Sequence, residues 1–425
     1  MALEVVRRVA EEGAYSNLAL RAALARTGLT GREAALATEL AYGTIRHLPA
    51  LDRALAPLLN RPLAEAPAEA RAALRLGAYQ LLRTRIPAHA AVSETVGLVS
   101  ARRRGLVNAV LRRLAASPPE APAGEGDEAI SARSGLAPWA VAELRALLPS
   151  EEVEAAALAL AAPARVGLRA NRCRASPEAV EEALRAAGVG VERSPLHPDC
   201  LLLEHGAPAE LPGFAEGWFA VQDPASVLVV AALDPRAGER VLDACAGPGG
   251  KTGHVACLVG PAGLVVAADV APSRARLVVR TCERLGVRAA VLVQDGRRPA
   301  LRAGFDRALV DAPCSGLGAA RRRPELLWRA EPAELPRLAD LQVGILAATA
   351  ELLAPGGRLV YSVCTFPRAE TDGVCDALLE RRPELAPEPV PGPDGSAERL
   401  RLWPHRHGCD GMFIAAFRNV TAPRK

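Results

Sequence analysis

The stretch "DACAGPGGKTGH", residues 243–254, decides the fold. It continues the apolar run "RVLDA" (240–244) and leads into residues with helical spacing, so strand, glycine-rich turn and helix follow one another. A phosphate-cradling P-loop needs glycine six residues before Lys251, where Cys245 stands. A dinucleotide fingerprint needs glycine where Thr252 stands. What remains is a turn that lets a ligand approach the backbone at a helix start.

The rhythm then repeats. Strands are expected at "LVVAAD" (264–269), "AAVLVQD" (289–295), "RALVDA" (307–312) and "RLVYSVC" (358–364). Helical segments, including "PSRARLVVRTCERLG" and "LADLQVGILAATAELL", lie between them. Alternation of this kind predicts a doubly wound parallel α/β sheet, with "GMFIAAFRN" (411–419) as an antiparallel edge strand. Ligands of such sheets sit beyond the carboxyl ends of the strands. Asp269 ends the second strand, placed to accept from both ribose hydroxyls, and Asp295 ends the third, placed to meet an adenine. Glycine turn and two strand-terminal acids make the layout of an S-adenosylmethionine site; the plainer alternative is that both acids cap helices.

Upstream, residues 1–116 carry helical spacing throughout, and "SPPEAPAGEGDE" (117–128) marks a linker. Short strand-like pieces, "RVGLRAN" (165–171), "CLLLE" (200–204) and "GWFAVQD" (217–223), then mix with helices. The expected division is a helical domain 1–118, a linker 119–130, a small α+β module 131–222 and a Rossmann-like methyltransferase domain 223–421. A chain of 425 residues is long enough for two or three domains. The charge-free run Thr252–Ala268 is cut by the turn "GPAG", so no membrane span is expected. "MALEVVRRVAEEG" reads as an amphipathic helix and not a signal peptide, giving a cytoplasmic protein as the expectation.

Only Lys251 and Lys425 are lysines among 52 basic residues, leaving 52 − 2 = 50 arginines. Net charge is only +4, but the arginines cluster in "ARRRG" (101–105), "VLRR" (110–113) and "ARRRP" (320–324). Clustered arginine suits phosphate, and equally a solvated face. The nine scattered cysteines form no CxxC pair and no zinc-ligand spacing, which predicts reduced thiols and no metal.

Two of those cysteines end strands on the ligand edge, in "LVDAPCSG" (309–316) and "RLVYSVCTFP" (358–367). An exocyclic amine already carries a nucleophilic lone pair and needs only positioning. Carbon 5 of a pyrimidine does not: a thiolate must first add to carbon 6, making carbon 5 enamine-like. Asp311 suits the region of ring nitrogen 3, where an acid stabilises the adduct. A base must afterwards remove the carbon-5 proton so that the sulfur can leave. One cysteine can add and the other assist release. A free thiol is only about 3% ionised at pH 7, so the nucleophile needs local help.

With "CAGPGGKT", "DAPCSGLG", "RRRPELLW", "LLAPGGRLVYSVCT" and "DGMF", the C-terminal two hundred residues resemble the RNA cytosine-5 methyltransferases. "SNLAL", "GLVNAVLRR" and "LPGFAEGWFAVQDPAS" extend the likeness to the subfamily B enzymes of bacterial 16S ribosomal RNA, which carry a helical domain similar to NusB. The resemblance implies Cys364 as nucleophile and Cys314 as the cysteine that helps release product. It implies a donor loop of Cys245, Ala246, Gly247, Pro248, Gly249, Gly250 and Lys251, with Asp269, Asp295 and Asp311 as further contacts to donor or base. Lys251 falls near donor or target base. Gly247 replaces the family's second alanine, a harmless and slightly more flexible choice, and Val363 replaces the threonine before the nucleophile, leaving the source of thiol activation open.

The implied cofactor is S-adenosylmethionine. The implied partner is a cytosine in a stem-loop of free small-subunit ribosomal RNA, not the assembled subunit, bound by a monomer with no membrane involved. Aromatics are only 3% of the chain, so affinity should come mainly from arginine–phosphate contacts and fall steeply with salt. The candidates are Arg102, Arg103, Arg104, Arg112, Arg113, Arg321, Arg322 and Arg323. Two rival readings stand beside this one: a transfer-RNA cytosine-5 methyltransferase, and a NusB-like binding factor without catalysis.

Overall fold

Residues 1–422, apart from Ala121 and His205, are described by the computed structural model; Ala121, inside the expected linker, and Lys425 lie outside the described residues. The chain divides into two units, Met1–Pro163 with Ala319–Ala330, and Ala164–Gly318 with Glu331 onward.

The first unit is helical: α1 (Ala2–Glu12), α2 (Ser16–Thr27), α3 (Gly31–Arg46), α4 (Leu48–Leu55), α5 (Ala68–Arg83), α6 (Ala88–Gly97), α7 (Ala101–Ala116), α8 (Asp127–Ser134), α9 (Pro138–Leu147) and α10 (Ser150–Ala161). Apolar residues three and four apart put Leu51, Leu55, Leu74, Val107 and Leu111 in one core, and Val5, Val6, Val9 and Ile45 in a second. Buried Arg75 is neutralised by Asp52 at 2.7 Å and Glu11 at 2.9 Å.

A distant piece of chain completes this unit. Trp328 Nε1 donates to Ile45 O at 2.8 Å, Glu325 accepts from the Ser16 N–H at 3.2 Å, and Leu327 O accepts from the Ala137 N–H at 2.9 Å. Arg329 donates to Val9 O at 2.6 Å and to Gly13 O and Ala14 O at 3.1 Å, satisfying the carbonyls that the end of α1 leaves free. The "RRRPELLW" motif is therefore a plug in the helical unit.

The second unit holds two sheets. Strands β1 (Val166–Ala170), β2 (Val191–Arg193), β3 (Cys200–Leu203) and β4 (Phe219–Val221) pair antiparallel in the order β2-β3-β1-β4, with α11 (Pro177–Ala186) between β1 and β2 in sequence. After α12 (Pro224–Leu233) comes the doubly wound sheet: β5 (Arg240–Asp243), α13 (Gly250–Val259), β6 (Leu264–Asp269), α14 (Pro272–Leu285), β7 (Ala290–Val293), β8 (Phe305–Asp311), α15 (Leu335–Ala350), β9 (Leu353–Val363) and α16 (Asp372–Arg381). Its remaining strand elements are β10 (Leu385–Glu388), the ribbon β11 (Val390–Gly392) with β12 (Gly395–Ala397), β13 (Arg399–Leu402) and β14 (Met412–Asn419). The order is β10-β14-β9-β8-β5-β6-β7, with β13 also on β14, and the run β7-β6-β5-β8-β9 is parallel.

Two expectations change. The "GMFIAAFRN" strand is antiparallel as expected but is no edge: β10 and β13 cover its outer side. The two compact units cut across the module expected over 131–222, with α8–α10 in the helical unit and β1–β4 in the other. Nor are all cysteines free thiols. Cys173 and Cys257 are joined as a disulfide with their Cα atoms 5.8 Å apart, where the loop after β1 meets α13. The same packing places Asn171 Nδ2 2.9 Å from Leu285 O.

Candidate active site

Strand β5 ends in buried Asp243, which accepts from Thr252 Oγ1 at 2.7 Å and so ties the first turn of α13 to the strand. Between them runs the glycine loop. Gly249 has φ 102°, and a side chain there would meet the α14 backbone at Val278, 2.9 Å away. Gly247 donates its N–H to Asp269 Oδ2 at 3.0 Å, and a Cβ on it would lie 2.6 Å from that carboxylate and from Arg274 Nε. Gly247 is therefore a matter of space as well as flexibility, which corrects the simpler expectation. Arg274, unremarked in sequence, donates to Gly247 O at 2.7 Å and lies 3.2 Å from Asp269.

The two strand-terminal acids differ. Asp269 is buried, and its second oxygen accepts from the Ala271 N–H at 2.9 Å, so it holds the turn that leads into α14 and faces the loop at once. Asp295 is partly exposed, and the side chain and N–H of Arg297 draw its carboxyl down to about 2. Asp243, buried beside Asp311, is pushed up to about 6 by desolvation. A loop whose backbone abuts a helix start, followed by these carboxylates, fits a donor with a ribose and an adenine; Asp269 and Asp295 can hold those groups.

Across the strand ends the two cysteines meet. Cys314 Sγ and Cys364 Sγ are 3.6 Å apart across fifty residues of sequence. Strands β8 and β9 bring them together: Asp311 pairs with Ser362 in register, and Ala312 N donates to Ser362 O at 3.0 Å. Gly318 N then donates to Cys364 O at 3.0 Å, and Gly411 N to Gly318 O at 2.9 Å. A Cβ on Gly318 would lie 2.1 Å from Gly411 O, so "SGLG" and "DGMF" are where three backbones converge.

Lys251 Nζ donates to Asp311 Oδ2 at 2.7 Å, and Asp311 Oδ1 accepts from Ser362 Oγ at 2.8 Å. Burial opposes the Lys251 charge, but Asp311 beside it and the sulfur of Cys364 hold its ammonium above the usual lysine range. Val363 is buried in the core with Tyr361 and Phe413. Cys314 is pushed up, first by its hydrogen bond with Cys364, then by burial and by the charges of Cys364, Glu370 and Asp311.

Known proteins share this arrangement of chain. A putative methyltransferase of Mycobacterium tuberculosis is 41% identical, covering 99% of this chain and 96% of its own. A model of the 16S rRNA methyltransferase RsmB/F family matches residues 230–418. The chain belongs to the RsmB/F family. A NusB family model matches residues 1–116, and one for the ferredoxin-like domain of RsmF/B-like methyltransferases matches 137–210. A probable ribosomal RNA small subunit methyltransferase B of Bacillus subtilis is 34% identical over 98% of both chains. Among solved structures, the crystal structure of PH0851 has a TM-score of 0.84 at 26% identity, covering 98% of this chain and 97% of that one. NSun6 from Pyrococcus horikoshii, solved with SFG, shares the fold at a TM-score of 0.60 and 23% identity over 67% of this chain and 98% of its own. As RsmB/F enzymes are, this one is an S-adenosylmethionine-dependent methyltransferase.

Of the residues expected in this RsmB/F site, the second unit brings together Cys314, Cys364, Asp311 and Lys251, and it gathers Gly247, Asp269 and the rest of the loop at the next strand ends. Cys245 is a thiol that burial pushes up. The expected RNA-contacting arginines lie in the helical unit. On α7, Arg102, Arg104, Arg112 and Arg113 are exposed and Arg103 is half-buried, while Arg112 Nε donates to Asn108 Oδ1 at 3.0 Å. Arg321, Arg322 and Arg323 are half-buried in the plug, where Arg46 donates to Arg321 O at 3.2 Å. Sequence reasoning gave no role to Ser315, Gln342, Thr365 and Glu370, although Ser315 and Thr365 stand inside the quoted stretches "DAPCSGLG" and "LLAPGGRLVYSVCT".

Proposed function

We propose that this protein methylates carbon 5 of a cytosine in small-subunit ribosomal RNA through a covalent bond between Cys364 and carbon 6. The observation that carries the reading is the 3.6 Å approach of Cys314 and Cys364 beside the Lys251–Asp311 pair. When bound, S-adenosylmethionine supplies an electrophilic methyl group; the chain's own residues do the rest.

The charges around the two sulfurs support Cys364 as the nucleophile, a preference that strand position alone does not supply. The ammonium of Lys251 interacts with the Cys364 sulfur and favours its thiolate. Cys314 is surrounded by negative charge and held protonated. Cys364 therefore adds to carbon 6, and Asp311, held by Lys251 and Ser362, faces the base and stabilises the adduct. Once Cys364 is committed to carbon, its hydrogen bond and charge no longer act on Cys314. The proton on carbon 5 then passes to a base on the Cys314 side, its electron pair rebuilds the carbon 5–carbon 6 double bond, and Cys364 leaves as thiolate.

The base must leave its stack to reach the sulfur, at a cost of a few kcal/mol that is lower in a loop. The helical unit supplies the phosphate contacts through Arg102, Arg103, Arg104, Arg112 and Arg113, with Arg321, Arg322 and Arg323 on its plug. The enzyme acts as a monomer on free RNA, an extension that rests on family likeness. Support for ribosomal RNA comes from the names of the relatives and from the pairing of a NusB-like unit with this catalytic unit.

The test is transfer of tritiated methyl from S-adenosylmethionine to naked 16S RNA, assembled small subunits and transfer RNA, with digestion to locate the label. Label in 5-methylcytosine of naked 16S RNA supports the reading. Label mainly in transfer RNA replaces the substrate, and none anywhere points to a binding factor. Cys364→Ser should give neither adduct nor product, and Cys314→Ser an adduct that accumulates. An adduct trapped by Cys364→Ser would reverse the two roles.

A further inference from the structure

Glu370 sits on a single turn, Arg368–Glu370, six residues past Cys364, and is fully buried. Its Oε1 accepts from the Ser315 N–H at 2.9 Å and from Gln342 Nε2 at 3.0 Å. Its Oε2 accepts from Ser315 Oγ at 2.5 Å, and that hydroxyl lies 2.7 Å from Thr365 Oγ1. Gln342, on α15, also donates to Pro313 O at 2.9 Å. Tyr361 donates its hydroxyl to Glu370 O at 2.7 Å and lies 3.1 Å from Gln342 Oε1.

The consequence is a bracket. Pro313 and Ser315, on either side of Cys314, are held by one hub, and the hub is anchored to β9, the strand that carries Cys364. Thr365, next to Cys364, is held through the same hydroxyl. We propose that Glu370 is the positioning residue of the release step: its carboxylate clamps the Cys314 loop so that this sulfur is in place when carbon 5 gives up its proton.

The proposal rests on the function proposed above and adds a residue to it. All the named partners of this carboxylate are neutral donors, and a buried acid held by neutral groups is costly to keep for packing alone. Burial raises the Glu370 carboxyl while hydrogen bonds from Ser315, Gln342 and Thr365 pull it back. Its charge also lies among those that keep the Cys314 proton on sulfur. The second thiol is thus placed by one side chain, whose charge adds to the larger effects of Cys364 and burial in holding its proton.

The experiment compares Glu370→Ala with Glu370→Gln, using wild type, Cys314→Ser and Cys364→Ser as references. Two readouts are taken on the full chain with naked 16S RNA: the rate of covalent adduct formation and the rate at which adduct resolves to product. With Glu370→Ala, formation should stay within about twofold while resolution slows at least about tenfold, the size expected for losing hydrogen bonds to a buried charge, so that adduct accumulates. Glu370→Gln keeps an oxygen acceptor for the Ser315 and Gln342 donors and should restore most of the resolution rate. Equal slowing of both steps, or no slowing of resolution, would overturn the proposal. Should Glu370→Ala fail to fold, Ser315→Ala carries the test, since it deletes only the hydroxyl; accumulation of adduct supports the role, and its absence overturns it. If wild type forms no adduct with any RNA, the proposed function falls and this role with it. If wild type, Cys314→Ser and Cys364→Ser behave as described and Glu370→Ala does not, only the role of Glu370 falls.

Discussion

Lys251 and Asp311 form an ion pair, 2.7 Å from nitrogen to oxygen, between the first turn of α13 and the end of β8. Lys251 is the sole lysine in the described residues, in a chain with 50 arginines. An ammonium is a compact point charge that reaches one carboxylate oxygen and a sulfur without a fork to satisfy. Lys251→Met should slow adduct formation at least about a hundredfold and move its half-maximal pH upward, since removing a cation disfavours the thiolate. Rates of adduct formation from pH 6 to 10 check this; an unmoved profile would separate Lys251 from thiol activation.

Gly318→Ala should be the most damaging single-methyl change in the site. The added carbon would fall 2.1 Å from Gly411 O and 3.0 Å from Cys364 O, both backbone atoms that cannot swing aside. We expect a loss of roughly 1–3 kcal/mol of stability by overpacking, with adduct formation falling further than stability does. Urea denaturation alongside adduct trapping would separate the two effects.

Asp243 gives a pH dependence of unusual sign. Its folded-state value near 6 lies above the ordinary carboxyl value because burial penalises the anion. The native state holds this proton more tightly than the unfolded chain, so the contribution is fully present below about pH 4 and is lost as pH rises through 6. A shift of about two units corresponds to roughly 3 kcal/mol. Asp243→Asn, which keeps an acceptor for Thr252, should therefore be more stable than wild type at pH 8 and no more stable at pH 4. Denaturant midpoints at the two pH values check it.

The plug makes a prediction about the helical unit alone. Residues 1–163 expressed without Ala319–Ala330 lack the Trp328 bond to Ile45 and the Arg329 cap on α1. The melting temperature of that fragment should rise when a peptide of residues 319–330 is added, and the Arg329→Ala peptide should raise it less, by about 1 kcal/mol or more. No response to either peptide would mean the plug is dispensable.

On α7, Arg102→Glu with Arg112→Glu should weaken RNA binding evenly across sequences. It should also flatten the dependence of log affinity on log salt by roughly 0.7–0.9 for each phosphate that the variant no longer neutralises. Titrations at several salt concentrations measure that slope. Unchanged affinity would move the RNA surface elsewhere.

Much of this was legible in the sequence, for reasons that differ by residue. Asp269, Asp311 and Cys364 end or follow apolar strands, and a parallel sheet delivers all such ends to one edge, so one-dimensional position implied three-dimensional proximity. Which of Cys314 and Cys364 attacks was not legible from strand position, because the proposed order rests on charges that separate elements bring around each sulfur. Glu370, Gln342 and Ser315 come from three separate elements with no shared spacing, and only tertiary convergence makes them a hub. Val363 read as a lost hydroxyl, yet its side chain belongs to the core beside Tyr361 and Phe413. The Cys173–Cys257 bond was hidden for the reason scattered cysteines usually hide their pairing: sequence does not encode which of them meet.

The plug also orders events during synthesis. Ribosomes release the chain from its N-terminus, so α1–α10 emerge long before Trp328 and Arg329 exist to close them. The NusB-like part must wait, half-finished, until most of the parallel strands of the catalytic sheet have been made. Hydrogen bonds spanning some three hundred residues of sequence then complete it, among the most non-local in the molecule and so among the slowest to form.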